Sequence, residues 1–562
     1  MKKFIALFLA LIMVLSLFAG CAKKEETPAV EEKPAVEETP ATEEETPAEE
    51  TSNWQEEHPT WLCEEKTTLT VTTFDTDAAS VLPVSNDLEF WQFLEEYTNV
   101  HIEWDAVSSD YGSEYGEVIQ ARMAAGESMG DIVNTHNLTN AYTGGQNGLF
   151  LEISELYQEY ALNTQAYLAE NNIDMDRHWI NPDGTMYGIS TINNAQLNHV
   201  MVLWNTAWLE KLGLEVPETL DEFTEVLYAM KEGGDLNGNG EDDEVILTSV
   251  DASMIYDVLY SAFGLDILDH YSGFCLDENG ELFYAPASEN MKALYTYANQ
   301  LFEDGILDPE IFNFNWDWDK ISERAANERA GAMILWSSFA PVYGQLTQAG
   351  IEDPFSENYT LSKALKSEWN NNDPKIVADA SPYCGYAINA ECENPELAMR
   401  WMDVLMADPT VLTFRTWGVE GEDYEIDANG EKQLIMPADG SAWNINHRGC
   451  GQICMPHIRT NDQVSNPDFI YPWYVEEYNA YLASGTIIES SVPYVSALTD
   501  EEREIIETYS TDIADYRNEM RVKFISGEVD IEEGWADYCA TLEALGLNDF
   551  SVAYQSICDR FN

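Results

Sequence analysis

Strand-like and helix-like segments alternate along most of the chain, and this alternation restricts the fold more than any other feature of the sequence. TTLTVTTF and HIEWDAV have the composition of strands, and NDLEFWQFLEEYTNV between them has apolar residues at helical spacing. Another helical segment, SEYGEVIQARMAAGES, precedes a third strand, GDIVNTH. The order strand, helix, strand, helix, strand predicts an α/β fold in which helices wrap a parallel sheet.

Helix caps and core tryptophans can be assigned within this pattern. Thr219 and Glu222 have the spacing of a capping box, and Asn86 or Asp87 is a candidate cap for the first helix of the alternating region. The segment from Leu498 onwards predicts helix nearly to the end of the chain. Tryptophans at helical spacing among apolar residues are interpreted as core residues, namely Trp91, Trp208, Trp401 and Trp535.

The N-terminus has the organisation of an export signal. Two lysines precede a short apolar run that ends in Ala-Gly-Cys21, as in secretory signals and unlike a spanning helix. The cysteine resembles the lipidation site of bacterial lipoproteins, although Phe18 stands where that pattern prefers leucine. Residues 1–20 are therefore predicted to be a lipoprotein signal peptide. Cys21 is predicted to anchor the chain through lipid to the outer face of the bacterial cytoplasmic membrane, with an ordinary signal peptide as the alternative.

Residues 21–65 form an acidic segment built from crude TPAxEE repeats. It has few apolar side chains beyond Ala and Val, cannot bury enough surface to offset chain entropy, and is predicted to be a disordered tether. The chain carries a net charge of -75, from 102 acidic and 27 basic residues. Such a charge repels nucleic acid and acidic membrane surfaces, so no nucleic-acid partner is expected, and membrane contact is expected only through the lipid.

The cysteines beyond Cys21 indicate no metal site. Cys450, Cys454 and His457 lie close together in CGQICMPH, but they lack the paired Cys-x-x-Cys pattern of zinc sites. An exported chain is free to form disulfides, and the sequence leaves their pairing open.

A set of longer phrases extends from residue 66 to the C-terminus: DGTMYGIS, WLEKLGLEVPETLDEFTEVLYAMK, an acidic Asn-Gly loop, YAPASENMKALYTYANQLFEDGILDPEIF, WGVEGEDYEIDANGE and VKFISGEVDIEEGW. In this order they resemble extracellular solute-binding proteins (family 1) of ABC transporters, in particular the large lipoprotein subfamily that includes alginate-oligosaccharide-binding proteins. The resemblance implies a periplasmic-binding-protein-like fold, with two α/β lobes around a ligand cleft and a multi-strand hinge. It also implies capture of an oligosaccharide and delivery to a membrane permease, without catalysis.

The resemblance further implies that the chain passes between the lobes more than once. Lobe I is predicted to comprise residues 66–190 and 376–445. Lobe II is predicted to comprise residues 191–375 and 446–562, with the helical C-terminus in its second part. The protein is expected to be a monomer.

The acidic loop DLNGNGEDDEV, from Asp235 to Val245, has oxygen-bearing residues at alternating positions. Gly240 stands where an EF-hand loop turns sharply, but Ile246 occupies position 12, which that motif requires to be acidic. Glu244 would have to close the cage instead, and the resemblance implies this arrangement around a structural Ca²⁺. The implied ligands are the side chains of Asp235, Asn237, Asn239, Asp243 and Glu244 and the carbonyl group of Glu241.

Two other interpretations of this loop remain. Asn-Gly-rich segments also form solvated turns that bind nothing, and dockerins use similar loops, although in two copies where this chain has one. Without a cation, Asp235, Asp243 and Glu244 would crowd like charges together, which favours the calcium site.

Candidate ligand-binding residues are those expected where strands end, because ligands of parallel sheets bind beyond the carboxyl ends. Aromatic faces suit sugar rings, and polar groups suit hydroxyls. The resemblance implies an aromatic platform after GAMIL, and Arg448 either clamps a ligand carboxylate or pairs with one of the many acids. The full set is His136, Asn137, Trp204, Trp336, Phe339, Tyr383, Trp417, Trp443 and Arg448.

The scarcity of basic residues favours a neutral oligosaccharide over a uronic-acid ligand, although two well-placed arginines would suffice for the latter. Two other functions are compatible with the sequence. One is a secreted, calcium-binding glycoside hydrolase, which needs two carboxylates across a cleft. The other is a cell-surface carbohydrate-binding lipoprotein without a transport role. Among 102 acidic residues some pair will always suit hydrolysis, so the sequence does not exclude the enzyme directly.

Overall fold

The computed structural model describes residues 53–75, 84–109, 114–193, 200–265, 272–277, 281–314, 317–336, 359–361, 364–377, 383–430, 432–435, 446–450, 455–459, 483–488 and 498–561. The predicted signal peptide, the lipidation site Cys21 and most of the predicted tether lie outside these residues.

Helices and strands alternate through the described residues. The helices are α1 Trp54–Glu57, α2 Glu89–Thr98, α3 Tyr115–Ala125, α4 Leu138–Gln146, α5 Ser154–Tyr160, α6 Leu162–Asn171, α7 Asp176–Trp179, α8 Thr206–Leu212, α9 Leu220–Glu232, α10 Ala252–Ala262, α11 Glu289–Glu303, α12 Trp318–Ala326, α13 Pro395–Ala407, α14 Pro409–Trp417, α15 Asp500–Ile525, α16 Ile531–Ala544 and α17 Leu547–Phe561. The strands are β1 Thr67–Asp75, β2 Val100–Ser108, β3 Ile132–Asn134, β4 Ile189–Asn193, β5 Val200–Asn205, β6 Val245–Ser249, β7 Phe274–Leu276, β8 Leu282–Tyr284, β9 Ala330–Trp336, β10 Tyr359–Leu361, β11 Ile376–Val377, β12 Tyr383–Ile388, β13 Tyr424–Ile426, β14 Lys432–Leu434, β15 Ile458–Arg459 and β16 Ile487–Ile488.

The first hydrophobic core surrounds a sheet with the strand order β15-β4-β12-β3-β1-β2. β1 pairs in parallel with β2 and with β3, which confirms the parallel arrangement predicted for the first strands. β12 comes from far along the chain and runs antiparallel to both β3 and β4. The carboxyl ends of β1, β2 and β3 therefore lie at one edge of this sheet, and the sheet as a whole is mixed.

The second core surrounds a smaller sheet with the order β10-β5-β9-β6. β6 and β9 are parallel, whereas β5 is antiparallel to its neighbours. The C-terminal helices α15, α16 and α17 confirm the predicted helical tail. Phe524 and Trp535 from these helices pack around Tyr295 of α11, so the end of the chain completes the second core.

Residues 54–65, predicted to be part of the tether, belong to the folded unit instead. The Leu62 amide donates to the Thr98 carbonyl at 2.8 Å, and the Arg400 guanidinium donates to the Leu62 carbonyl at 3.0 Å. Leu62 and Cys63 also pack against the first core. The prediction extended the polar repeat too far, because the apolar residues that dock this segment occur only at its end.

The change of lobe also occurs later in the chain than the predicted boundary between 445 and 446. Cys450, Met455 and Ile458 lie in the first core, and β15 extends its sheet by pairing with β4. Short β11 pairs with β16 across more than a hundred residues. Pairing between distant segments set this boundary, and local sequence did not reveal it.

Of the two helix starts predicted from local sequence, one is confirmed and one is wrong. Thr219 and Glu222 form the predicted capping box at α9. At α2 the prediction was wrong, because Leu88 is the N-cap residue and no side chain caps the helix. Asn86 is used elsewhere: it donates to the Ile102 carbonyl and accepts from the Trp104 indole.

The assignments of core tryptophans are confirmed, since Trp91, Trp208, Trp401 and Trp535 are all buried. Within the described residues, Cys392, Cys450, Cys539 and Cys558 do not form disulfides. Cys454, the middle residue of the weak metal pattern, lies outside the described residues.

Candidate functional site

His136 lies directly beyond the carboxyl end of β3, at the edge of the first sheet where ligands of parallel strands bind. Its φ is 68°, which is uncommon for a residue with a side chain. The imidazole is half-buried against α3, and a Cβ added at Gly116 would stand 3.0 Å from its Nδ1 atom. Burial lowers the pKa of His136, so the ring is neutral at neutral pH. Residues with strained backbone conformations that the surrounding structure maintains are concentrated at functional sites.

Asn137 is the N-cap residue of α4. Its side-chain oxygen accepts from the Asn140 amide at 2.8 Å, and its Nδ2 atom lies 3.4 Å from Nδ1 of His136. Asn137, which was predicted to bind the ligand, therefore contacts both α4 and His136. The structure thus brings these two predicted residues together.

A second strained residue lies in β12, the strand that pairs with β3. Cys384 has a φ of 57°, and the pairing of β12 with β4 shifts register between Tyr383 and Tyr386. At Gly385, an added Cβ would stand 2.6 Å from the Asn137 carbonyl oxygen, so this position requires glycine. Bulges of this type are frequent beside functional sites. Tyr383, a predicted ligand-binding residue, begins β12 at this irregularity.

Trp204 was predicted to contact the ligand, and the structure corrects this. Its side chain is fully buried in the second core and packs edge-on against Phe223 at 5.4 Å between ring centroids. The residue is the last but one of β5, but this strand lies inside its sheet, between β10 and β9. A tryptophan near a strand end is therefore a packing residue here.

The other aromatic candidates have different positions. Trp336 is the last residue of β9, and its backbone pairs with Val200. Phe339 and Trp443 lie outside the described residues. Trp417 ends α14 and is half-buried, with the Lys432 ammonium 5.3 Å from its ring centroid.

Arg448 is held by acids of its own chain. Its Nε atom lies 2.8 Å from an Asp423 oxygen, one terminal nitrogen lies 2.8 Å from Glu422, and the other donates to Glu89. Although burial opposes the charged form, these carboxylates raise the pKa of Arg448 further above its usual value. Of the two interpretations of Arg448, these contacts favour pairing with acids over a clamp on a ligand carboxylate.

The acidic loop is folded around its own side chains. Asp235 accepts from the amides of Gly238 and Gly240 at 2.7 and 3.0 Å, and Glu244 accepts from the amide of Leu236 at 2.8 Å. These bonds turn the two carboxylates into the loop. Asn239 and Arg329 then contact the Asp243 carboxylate, at 3.0 and 2.8 Å.

The donor set of this loop fits Ca²⁺, which prefers carboxylate, amide and carbonyl oxygens. Within the described ranges, no group of three or more His, Cys, Asp and Glu side chains has the geometry of a metal site. The three implied carboxylates, on Asp235, Asp243 and Glu244, therefore do not converge as such a group here, and the other three implied ligands are two asparagine side chains and a backbone carbonyl. The loop leads directly into Val245 of β6, so it lies at the end of that strand opposite to its carboxyl edge.

The sequence did not predict a contact between the two cores. Tyr142 of α4 packs against the guanidinium of Arg503 on α15, with 4.7 Å between the guanidinium carbon and the ring centroid. Its hydroxyl donates to Asp500 at 3.4 Å. The only available signal was that Arg503 is one of 27 basic residues in an acidic chain.

Known proteins with similar sequences include a transporter substrate-binding protein and a lipoprotein. The fructooligosaccharide ABC transporter substrate-binding protein FusA of Streptococcus pneumoniae is 26% identical over 535 residues, covering 90% of this chain and 92% of that protein. Lipoprotein LipO of Bacillus subtilis is 25% identical over 487 residues, covering 82% of this chain and 88% of that protein.

Solved structures share the fold. The alginate-binding protein AlgQ2 without calcium ion superposes with a TM-score of 0.69 at 20% identity, covering 89% of this chain and 99% of that one. FusA in complex with kestose has a TM-score of 0.69 at 23% identity, covering 88% and 99%. The predicted periplasmic-binding-protein-like α/β fold is thereby confirmed.

Two further observations concern membrane-spanning helices and the protein family. No helix within the described residues has both the length and the apolar character needed to cross a bilayer. Residues 83–410, of 562, match the family described as bacterial extracellular solute-binding protein. The chain therefore belongs to the bacterial extracellular solute-binding protein family.

Proposed function

We propose that this protein is the substrate-binding lipoprotein of an ABC importer, which captures an oligosaccharide between its lobes and delivers it to a membrane permease. The observation that carries the proposal is the similarity to FusA across 90% of the chain, together with membership of the solute-binding family. The protein binds its ligand without cutting it and acts as a monomer. Cys21 carries the lipid that holds it at the outer face of the cytoplasmic membrane, in keeping with the similarity to a lipoprotein.

The ligand site in this proposal includes the carboxyl edge of the first sheet and the carboxyl end of β9. The strained backbones at His136 and Cys384, on neighbouring strands, support this location. Trp204 and Arg448 are no longer among the candidates. Those retained are His136, Asn137, Trp336, Phe339, Tyr383, Trp417 and Trp443.

The proposed ligand is a neutral oligosaccharide. Arg448 is neutralised by Glu89, Glu422 and Asp423, which removes the arginine considered for clamping a uronic-acid carboxylate. FusA, which matches 90% of this chain, is described as a fructooligosaccharide transporter's substrate-binding protein. Fructooligosaccharides are uncharged.

Ca²⁺ is proposed as a structural ion in the loop from Asp235 to Glu244. When bound, it supplies positive charge to the carboxylates of Asp235, Asp243 and Glu244, which are close in sequence. Solved relatives include a structure described as lacking calcium and one described as an EF-hand mutant. Since β6 separates the loop from the carboxyl edge by five residues, about 16 Å of strand, the ion would stabilise the second lobe without touching the ligand.

Isothermal titration calorimetry with fructo-, xylo-, manno- and gluco-oligosaccharides, beside oligogalacturonate, tests the ligand class. We expect one neutral series to bind and His136→Ala to weaken it at least tenfold. His101→Ala is the matched control, because that histidine pairs with Glu95 on the surface of α2. Release of new reducing ends during the titration would contradict a binding function and indicate a hydrolase.

Uptake tests the transport function separately from binding. Cells that lack this protein should lose import of the labelled oligosaccharide, and the full-length chain should restore it. The Cys21→Ala chain should bind the sugar normally but be released into the medium, with import reduced. Unchanged import in the deletion strain would favour a cell-surface carbohydrate-binding protein without a transport role.

A further inference from the structure

The side chain of Asn137 has only one orientation that satisfies its contacts. Its oxygen accepts from the backbone amide of Asn140 at 2.8 Å, as an N-cap side chain must. An amide group carries oxygen and nitrogen on the same carbon, so fixing the oxygen towards the helix fixes the nitrogen on the other side. That nitrogen, Nδ2, lies 3.4 Å from Nδ1 of His136.

This orientation decides where the proton of His136 resides. The Nδ2 group of Asn137 is a donor only, so Nδ1 of the neutral imidazole must be the acceptor. In a neutral ring one nitrogen accepts and the other carries the proton. The proton is therefore on Nε2, and Nε2–H is a donor.

The surroundings of His136 keep this arrangement in place. The ring atoms nearest to Gly116 are Nδ1, Cε1 and Cγ, so Nε2 is directed away from α3. The backbone amide of His136 donates to the Asn134 side chain at 2.9 Å, and the Asn140 side chain donates to the Thr135 carbonyl at 2.8 Å. These bonds hold the left-handed turn at the end of β3.

We propose that Asn137 is a positioning residue that fixes the Nε2–H tautomer of His136, so that His136 donates a hydrogen bond to an oxygen of the bound saccharide. The inference rests on the proposed function and assigns two residues different roles in it. His136 contacts the ligand, and Asn137 acts through His136. Sugar hydroxyl and ring oxygens are acceptors for such a donor, so the tautomer selects for an acceptor at this point of the ligand.

Nitrogen-15 NMR of the ligand-free protein tests the tautomer directly. At a pH above the pKa of His136, we expect its Nδ1 to resonate as an unprotonated nitrogen and Nε2 as a protonated one. The signals are assigned among the eight histidines by their loss in His136→Gln. In Asn137→Asp, which keeps an N-cap oxygen, the carboxylate should accept from Nδ1–H, so at a pH where the ring is neutral the proton should move from Nε2 to Nδ1. Wild-type signals of an Nδ1–H tautomer would overturn the inference.

Affinity for the oligosaccharide identified by calorimetry tests the second part of the proposal, the hydrogen bond from His136 to the saccharide. His136→Gln places an amide nitrogen near the position of Nε2, whereas His136→Asn places one near Nδ1. We expect the Gln variant to bind within about threefold of wild type and the Asn variant about tenfold more weakly, the loss of one hydrogen bond. Asn137→Asp should also bind about tenfold more weakly, with an unchanged melting temperature.

The two arms separate failure of this inference from failure of the proposed function. If no saccharide binds while the NMR signals are as expected, the proposed function is wrong, and the donor role of His136 is overturned with it. If saccharide binds and Asn137→Asp binds as well as wild type with a reversed ring, the positioning role of Asn137 is overturned. Equal loss of affinity in His136→Gln and His136→Asn would overturn the donor role.

Discussion

Tyr142 on α4 and Arg503 on α15 join the two lobes, with the guanidinium carbon 4.7 Å from the ring centroid. The three guanidinium nitrogens are buried, and none has a hydrogen-bond partner among the described residues. The tyrosine hydroxyl also donates to Asp500 at the start of the same helix. A desolvated cation held on an aromatic face is a strong form of this interaction, so this pair links the first lobe to the second.

A double-mutant cycle of Tyr142→Leu and Arg503→Met should show a coupling free energy of about 1–2 kcal/mol. Each single variant removes the cation–π contact, so the double variant should lose little more than one of them. Chemical denaturation measures the free energies of unfolding. The control is Arg503→Met combined with Tyr228→Leu, two residues without a mutual contact, which should be additive. Additivity in the first cycle would contradict the pairing.

Calcium removal should destabilise the second lobe. We expect excess EDTA to lower the melting temperature of the wild type by several degrees and Ca²⁺ to restore it, because binding to the folded state alone adds stability. Asp235→Ala should lose this calcium-dependent increment. Asp242→Ala should retain it, since that acid lies in the same loop but outside the proposed ligand set. Equal melting curves with EDTA and Ca²⁺ in the wild type would contradict the site.

Removal of the capping box should weaken α9 measurably. The Thr219 hydroxyl accepts from the Glu222 amide at 3.2 Å, and the Glu222 carboxylate accepts from the Thr219 amide. Thr219→Ala should lower the free energy of unfolding by about 1 kcal/mol, as measured by chemical denaturation. Thr296→Ala, which removes a hydroxyl from an exposed position of helix α11, is the matched control and should change it by a few tenths of that amount.

Glu502 should make stability depend on pH in the acid range. Burial alone would raise its pKa, but hydrogen bonds from Arg560, the Thr499 amide and Ser556 outweigh it and lower the pKa below 4.5. An acid with a lowered pKa in the folded state binds fewer protons there than in the unfolded chain. Its stabilisation is therefore complete above pH 4.5 and is lost as the pH falls through the folded pKa.

The variant Glu502→Gln isolates this effect. At pH 7 it should lower the free energy of unfolding by about 2 kcal/mol, the usual size of a hydrogen bond to a charged group. The difference from wild type should shrink as the pH falls below 4.5. Denaturation curves at several pH values measure it, and Glu501→Gln, a neighbour on the exposed side of α15, serves as the control. A difference that stays constant with pH would show that Glu502 is not the titrating group.

Much of the fold followed from local sequence because the responsible interactions are local. Apolar periodicity gave the first strands and the helical tail, and the capping box needed only residues 219 and 222. The acidic loop likewise carries its proposed donors within eleven residues. The parallel pairing of β1 with β2 and β3 followed because a helix between two strands forces them to run in one direction.

The structure alone decided the contacts between distant segments. Arg448 pairs with Glu89, 359 positions away in the chain, and nothing near either residue indicates the other. Trp204 resembled a site residue because it lies near the end of a strand, but its burial depends on which strands flank β5. The strained residues His136 and Cys384 come to the same sheet only because β12 returns beside β3. Local sequence specifies which element forms, whereas the burial and charge pairing of a side chain depend on neighbours that only the folded chain supplies.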